Sequence, residues 1–147
     1  MSADMAAGTG AIMAVDLGDA RIGVAVCSAP GLPAVPLATI AHSSRQKDIV
    51  EILALAAERN VNIIVVGYPL KMDGSVGPAA KKVDVFVDAL RAAFSGHVVA
   101  HDERLTTAAA ARKLRDVEVS GSKKRRYIDQ LAAVEILNSY LASQRQP

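Results

Sequence analysis

Apolar residues along this chain fall into short runs, and the length and spacing of the runs separate strands from helices. Residues 11–17 and 22–28 are two apolar stretches joined by Gly18-Asp19-Ala20-Arg21, which predicts a β-hairpin with a glycine-containing turn. A loop with Pro30 and Pro33 leads to a short strand near 35–40, and Pro36 assigns that strand to a sheet edge. Ser43-Ser44 offers an N-cap for a helix over 46–58 with Ile49, Ile52, Leu53 and Ala56 on one face. Residues 62–67 contain the β-branched run Ile63-Ile64-Val65-Val66, the pattern of a strand buried on both faces. A loop over 68–77 precedes a second helix over 78–94, with Val83, Phe86, Val87 and Leu90 inward. Residues 98–101 read as another buried strand. Thr106-Thr107 caps a third helix through Leu114, and a basic loop leads to a last helix over 125–143. Three strands, then helix, strand, helix, strand, helix and helix give an α/β fold. Its sheet has five strands, mixed, with three antiparallel strands followed by βα units and helices on both faces. Residues 1–10, rich in Ala, Gly and Ser, are expected to be a flexible tail, and 11–143 one domain.

Composition narrows the class. Half of the 147 residues are apolar (51%), enough for a core without disulfides, and the lone Cys27 cannot form one within the chain. Cys27 lies in an apolar run and is expected to be a small buried hydrophobe in a reducing compartment. No apolar run reaches membrane-spanning length, and residues 1–10 lack the basic and apolar regions of a signal peptide, so a cytoplasmic protein with no membrane partner is expected. Three Tyr, two Phe and no Trp argue against an aromatic platform for single strands. The net charge of +2 says little, but its distribution says more. Residues 103–147 carry nine Lys/Arg against five Asp/Glu, while 1–102 carry eight against ten. The surplus includes Lys123-Lys124-Arg125-Arg126, which is either a solvated helix start or a set of phosphate contacts; its place just before Asp129 favours nucleic acid.

Three carboxylates carry the candidate chemistry. Asp16 closes the run Ile12-Met13-Ala14-Val15, Glu103 follows Val98-Val99-Ala100, and Asp129 opens the apolar stretch Ile128 to Leu141. A buried lone carboxylate is strongly disfavoured, so three at the ends of core elements imply a shared cation. A divalent metal meets that need, and oxygen ligands suit hard ions such as Mg²⁺ or Mn²⁺. Metal-dependent phosphoryl transfer, the chemistry of a nuclease, follows. Asp102 and Glu103 are adjacent, so in strand geometry only one faces the site; Asp102 is expected to pair with a cation or cap a turn. Arg21 and Arg104 could each hold substrate phosphate or brace a carboxylate. Gly18 and Gly23 allow close backbone approach or merely the hairpin turn. His42, His97 and His101 have no metal-ligand spacing and are assigned no role.

Four blocks in order carry a family resemblance. Asp16-Leu17-Gly18 with Arg21-Ile22-Gly23-Val24-Ala25 is the first, and Val66-Gly67-Tyr68-Pro69-Leu70 with Met72-Asp73-Gly74-Ser75 the second. Asp102-Glu103-Arg104-Leu105-Thr106-Thr107 is the third, and Ile128-Asp129 with Ala132-Ala133 and Ile136 to Leu141 the fourth. Over residues 12–142 the chain resembles the YqgF family, also called RuvX-type Holliday junction resolvases or pre-16S rRNA nucleases. The resemblance implies an RNase H-like fold and a bacterial cytoplasmic nuclease. It further implies Asp16, Glu103 and Asp129 as catalytic residues and metal ligands, with two ions. The candidate substrate-binding residues, read from charge, donor chemistry and position rather than from the resemblance, are Arg21, Arg104, Lys123, Lys124, Arg125 and Arg126. Many RNase H relatives carry an acid after the fourth strand; here that position reads Gly67-Tyr68-Pro69, and the acid comes after the fifth strand as Glu103. The expected task is 5′-end processing of pre-16S rRNA, with the pre-ribosome as a partner. The alternative is resolution of four-way DNA junctions, which calls for a homodimer where RNA trimming needs only a monomer. Two other readings compete: a binding module without catalysis, and an ATPase of the actin and sugar-kinase type. The ATPase needs a second domain and a second Asp-x-Gly hairpin that 147 residues do not hold.

Overall fold

The computed structural model describes residues 10–106 and 122–145. Five strands form one sheet: β1 (Ala11–Leu17), β2 (Arg21–Cys27), β3 (Val35–Ala41), β4 (Val61–Tyr68) and β5 (His97–Asp102), in the order β3-β2-β1-β4-β5. β1, β2 and β3 are antiparallel, and β4 and β5 run parallel to β1. Among the described residues three helices cover the sheet: α1 (Arg45–Glu58), α2 (Pro78–Ala93) and α3 (Ser122–Gln144). The mixed five-stranded sheet with helices on both faces is therefore as the sequence predicts. The helix expected from Thr107 to Leu114, the basic loop after it as far as residue 121 and the tail 1–9 lie outside the described residues; residues 122–124, expected in that loop, already belong to α3.

Local chemistry accounts for the boundaries. Gly18 donates its N–H to the Arg21 carbonyl at 3.0 Å and closes the β1–β2 hairpin. Ser44 caps α1, its hydroxyl accepting from the Lys47 N–H at 3.2 Å, and Asn60 ends that helical segment in the left-handed region at φ 55°. Pro36 sits in β3, an edge strand, where a missing N–H is tolerated. β5 departs from expectation. It is the opposite edge rather than a strand buried on both faces, with His97 and Ala100 exposed and Val98 and His101 buried. A run of three apolar residues, Val98-Val99-Ala100, does not reveal whether one neighbour or two will pair with it.

Alternation sorts the side chains into two cores. Met13 and Val15 of β1, Val24 and Val26 of β2, and Ile64 and Val66 of β4 pack against α1 and α2. Ile12, Ala14, Ala25, Cys27, Ile63 and Val65 face the other way, against Ala132, Ala133, Ile136, Leu137 and Tyr140 of α3. Ala14, Ala25 and Cys27 of the sheet and Ala132 and Ala133 of α3 are small, which lets the helix lie close to the sheet. Full burial of Ile136 and Leu137 contributes about 2 kcal/mol each. Cys27 is buried in the same layer, its thiol directed at the carbonyls of Ala29 and Leu32.

Candidate active site

Asp16 is on the α3 side of β1, next in that row after Ile12 and Ala14, and is only 2% exposed. Its cross-strand partner on β2 is Gly23. On the other side, Val15 pairs with Val66 of β4, which sets Gly67 at the level of Asp16. The row across the sheet therefore reads Gly23, Asp16, Gly67. Each glycine leaves space that another acidic residue fills. A Cβ on Gly23 would overlap the Asp129 carbonyl oxygen and stand 3.2 Å from the Asp129 Cβ. A Cβ on Gly67 would overlap the Glu103 carboxylate and stand 2.7 Å from the Ile136 Cδ1. The structure thus brings Asp129 and Glu103 to either side of Asp16, one from α3 and one from the 3-10 turn Glu103–Leu105 that follows β5. It also gives a steric reason for the missing acid on β4: Glu103 occupies the space above Gly67.

The surrounding groups sort by what they touch. Arg21, at the start of β2, donates from Nε to the Asp129 Oδ2 at 2.7 Å; Asp129 is 1% exposed. Asp102 accepts from the Arg104 N–H at 2.9 Å and from its guanidinium at 2.8 Å, so it caps the turn and pairs with a cation, as expected. The Arg104 hydrogen bonds hold the Asp102 carboxyl below the usual carboxylate range. Thr106 donates its hydroxyl to the Glu103 carbonyl at 2.8 Å and steadies the same turn. Arg104 also reaches the Met72 carbonyl at 3.5 Å, tying the loop after β4 to the turn that carries Glu103. Lys124 and Arg126 are exposed in the first turns of α3, and the side chains of Lys123 and Arg125 lie outside those described. The Arg126 carbonyl accepts from the Thr39 hydroxyl at 2.8 Å, anchoring the helix start to the β3 edge.

Sequence reasoning assigned no role to His101. It is buried under α3, shares a 2.8 Å hydrogen bond with the Ser139 hydroxyl and meets the Tyr140 ring edge-on at 6.0 Å. Burial pushes its pKa down and that of Tyr140 up. A histidine directly after the apolar run Val98-Val99-Ala100 is the sequence signal for this latch. His42 contacts the buried Asp48 carboxylate, which also accepts from the Ser43 N–H at 3.1 Å; this pair secures the start of α1.

A cation fits the donor set. All three acids offer hard oxygen ligands, and two glycine positions that a Cβ would fill admit Glu103 and Asp129 beside Asp16. Among the described residues the carboxylates are placed in one row but not drawn into a finished cage of three ligands. No described helix is long and apolar enough to cross a membrane.

Known proteins resemble this chain in sequence and in fold. A family model described as "RuvX: Holliday junction resolvase" matches residues 10–143. A protein of Thermoanaerobacter pseudethanolicus named "Putative pre-16S rRNA nuclease" is 44% identical over 135 residues, covering 91% of this chain and 97% of its own. A Clostridioides difficile protein of the same name is 45% identical over 132 residues, with coverage of 90% and 94%. Among solved structures, T. thermophilus RuvC in complex with a Holliday junction substrate superposes with a TM-score of 0.56 at 16% identity, covering 92% of this chain and 97% of that one. The fowlpox virus Holliday junction resolvase gives 0.51 at 16% identity, with 90% and 99% covered. These two likenesses establish the RNase H-like fold.

Proposed function

This chain belongs to the RuvX family, and from that membership we propose that it is a divalent-metal-dependent nuclease whose substrate is the 5′ end of pre-16S rRNA. The observation that carries the reading is the seating of Asp129 and Glu103 over the two glycines that flank Asp16. Three acids in one row, two of them buried, favour a bound cation in addition to Arg21, which already pairs with Asp129. Asp16, Glu103 and Asp129 would hold Mg²⁺ or Mn²⁺, one ion or two, and the bound cation would supply charge stabilisation for displacement at phosphorus.

The protein's own groups do the rest. Asp16, at the centre of the row, would be the ligand best placed to be shared if two ions bind. Arg21 fixes the orientation of the Asp129 carboxylate and lowers the cost of burying it. The Asp102–Arg104 pair stiffens the turn from which Glu103 reaches in. Lys123, Lys124, Arg125 and Arg126 gather substrate phosphates at the start of the helix that carries Asp129. Four cations at a helix N-terminus oppose the helix dipole, so they are poorly placed for stability alone. The name shared by the most similar relatives supports rRNA over DNA, and the pre-ribosome is then the natural partner.

Cleavage of four-way DNA is the second reading, supported by the family description; it needs two sites in a symmetric dimer. The test sets a labelled small-subunit rRNA precursor against a labelled four-way junction with Mg²⁺ or Mn²⁺, using wild type and Asp16→Asn. Cleavage of the precursor, abolished by the substitution with binding retained, is the expected result. Cleavage of the junction alone would overturn the RNA assignment. Binding without cleavage by wild type would favour a non-catalytic module.

A further inference from the structure

Met72 is 90% exposed, the most exposed of the large apolar side chains among the described residues. Single exposed hydrophobes are ordinary on protein surfaces, so exposure alone means little. Here the backbone beneath the side chain is locked. The loop leaves β4 at Tyr68, and Lys71 donates its N–H to the Ser75 carbonyl at 3.0 Å. Gly74 donates back to the Lys71 carbonyl at 2.8 Å, in a left-handed conformation at φ 88° that favours glycine. Asp73 accepts from the Ser75 N–H at 2.9 Å and its hydroxyl at 2.6 Å. Arg104 closes the base, its guanidinium at the Met72 carbonyl and 3.3 Å from where a Gly74 Cβ would stand. Lys71, Asp73 and Ser75 are exposed as well and Val76 is 48% exposed, so Met72 is the most exposed apolar side chain of a mixed tip whose backbone is hydrogen-bonded.

The position of the loop decides what the tip can meet. It begins one residue beyond Gly67, where the Glu103 carboxylate rests, and its inner side is held by the residue after Glu103. On the proposed function, a nucleic acid laid across the carboxylate row would come close to this loop. A protein-docking site needs a contiguous apolar patch, whereas one almost fully exposed apolar side chain on a hydrogen-bonded turn suits a gap between bases. Methionine is unbranched and polarizable, and makes favourable contacts with aromatic rings.

We propose that Met72 is a nucleobase wedge, inserting beside the base next to the scissile phosphate and holding that base out of its stack. The inference rests on the proposed nuclease function, because it takes the bound polymer from that reading. It assigns to the loop a selection for substrates whose bases part easily at the cleavage point, such as strand ends, bulges and junctions. Cleavage of a continuous duplex would be correspondingly poor.

The experiment uses the full chain and both substrates named above, each carrying 2-aminopurine beside the cleavage site, with Met72→Ala, Met72→Phe and Asp16→Asn variants. The substituted side chain is almost fully exposed, so all Met72 variants should fold, and a circular dichroism melt confirms it. Binding by Asp16→Asn should raise the fluorescence as the base unstacks, with no cleavage. Met72→Ala should lose most of that rise and cleave about tenfold more slowly, the loss expected for one stacking contact. Met72→Phe should retain both signals. Equal fluorescence and cleavage for wild type and Met72→Ala would overturn the wedge while leaving the nuclease standing. Failure of wild type to bind either substrate would overturn both.

Discussion

Arg21 and Asp129, separated by 108 positions in the chain, meet at 2.7 Å beneath α3. The acid is 1% exposed and the arginine side chain 26%, so the pair is largely shielded from water. Removing one partner of a buried pair leaves a charge that water cannot reach, and this costs more than the pair contributes when intact. Arg21→Met should lower the unfolding free energy by about 2–3 kcal/mol in urea titrations. Arg21→Met with Asp129→Asn should recover at least half of that loss. Strict additivity of the two substitutions would mean that Arg21 serves substrate rather than Asp129.

The two glycines beside Asp16 should respond differently to the same added methyl group. At Gly23 the Cβ meets the carbonyl oxygen of Asp129, which is helix backbone and cannot rotate away. Gly23→Ala should push α3 off the sheet and cost about 3 kcal/mol, with activity and stability falling together. At Gly67 the Cβ meets the ends of two side chains, Glu103 and Ile136. Gly67→Ala should cost only about 1 kcal/mol, because both can swing aside. Displacement of the Glu103 carboxylate should nevertheless slow cleavage about 100-fold, the penalty for misplacing a catalytic group by an ångström. Thermal melts and initial rates on both variants check the contrast.

The contrast also marks what a sequence can disclose here. The runs at 11–17, 22–28 and 62–67 predict β1, β2 and β4 to within a residue or so, because turns and β-branched runs have local causes. Asp16, Glu103 and Asp129 stand out in sequence because acids at the ends of core elements are costly anywhere. The register is not local. Nothing near Gly67 in sequence places it level with Asp16 or under Glu103; only the pairing of Val15 with Val66 does. The choice for Arg21 and Arg104 between phosphate and carboxylate was likewise open until folding set Asp129 beside one and Asp102 beside the other. The edge position of β5 has the same cause, since strand order is a property of the sheet.

His101 gives the fold a pH dependence. Burial lowers its pKa, partly offset by Asp102, so the folded chain resists the proton. The unfolded chain accepts one near pH 6.5. Below that pH the unfolded state therefore binds more protons, and the stability present at neutral pH is lost as pH falls towards the folded-state value. The slope for one proton is at most about 1.4 kcal/mol per pH unit. Urea midpoints measured from pH 7.5 to 5.5 should fall for wild type. They should fall less for His101→Gln, which keeps a hydrogen-bonding group opposite Ser139. Identical slopes would remove His101 as the source.

Lys124 and Arg126 stand exposed in the first turns of α3, where the helix dipole disfavours positive charge. Two roles for them predict opposite signs. If they only solvate the helix start, replacing both with Ala leaves nucleic-acid affinity unchanged. If they contact phosphates, the replacement lowers affinity about equally for RNA and DNA of any sequence, because backbone contacts carry no base information. Each lost contact should also reduce the slope of log K against log salt by about 0.7–0.9. The Lys124→Ala and Arg126→Ala double variant should therefore bind with a slope shallower by about 1.5 and turn over normally at saturation. Its melting temperature should hold or rise slightly, since the relieved charge contributes a few tenths of a kcal/mol. Affinity that falls while stability does not is the result a phosphate-binding role requires and a structural role cannot produce.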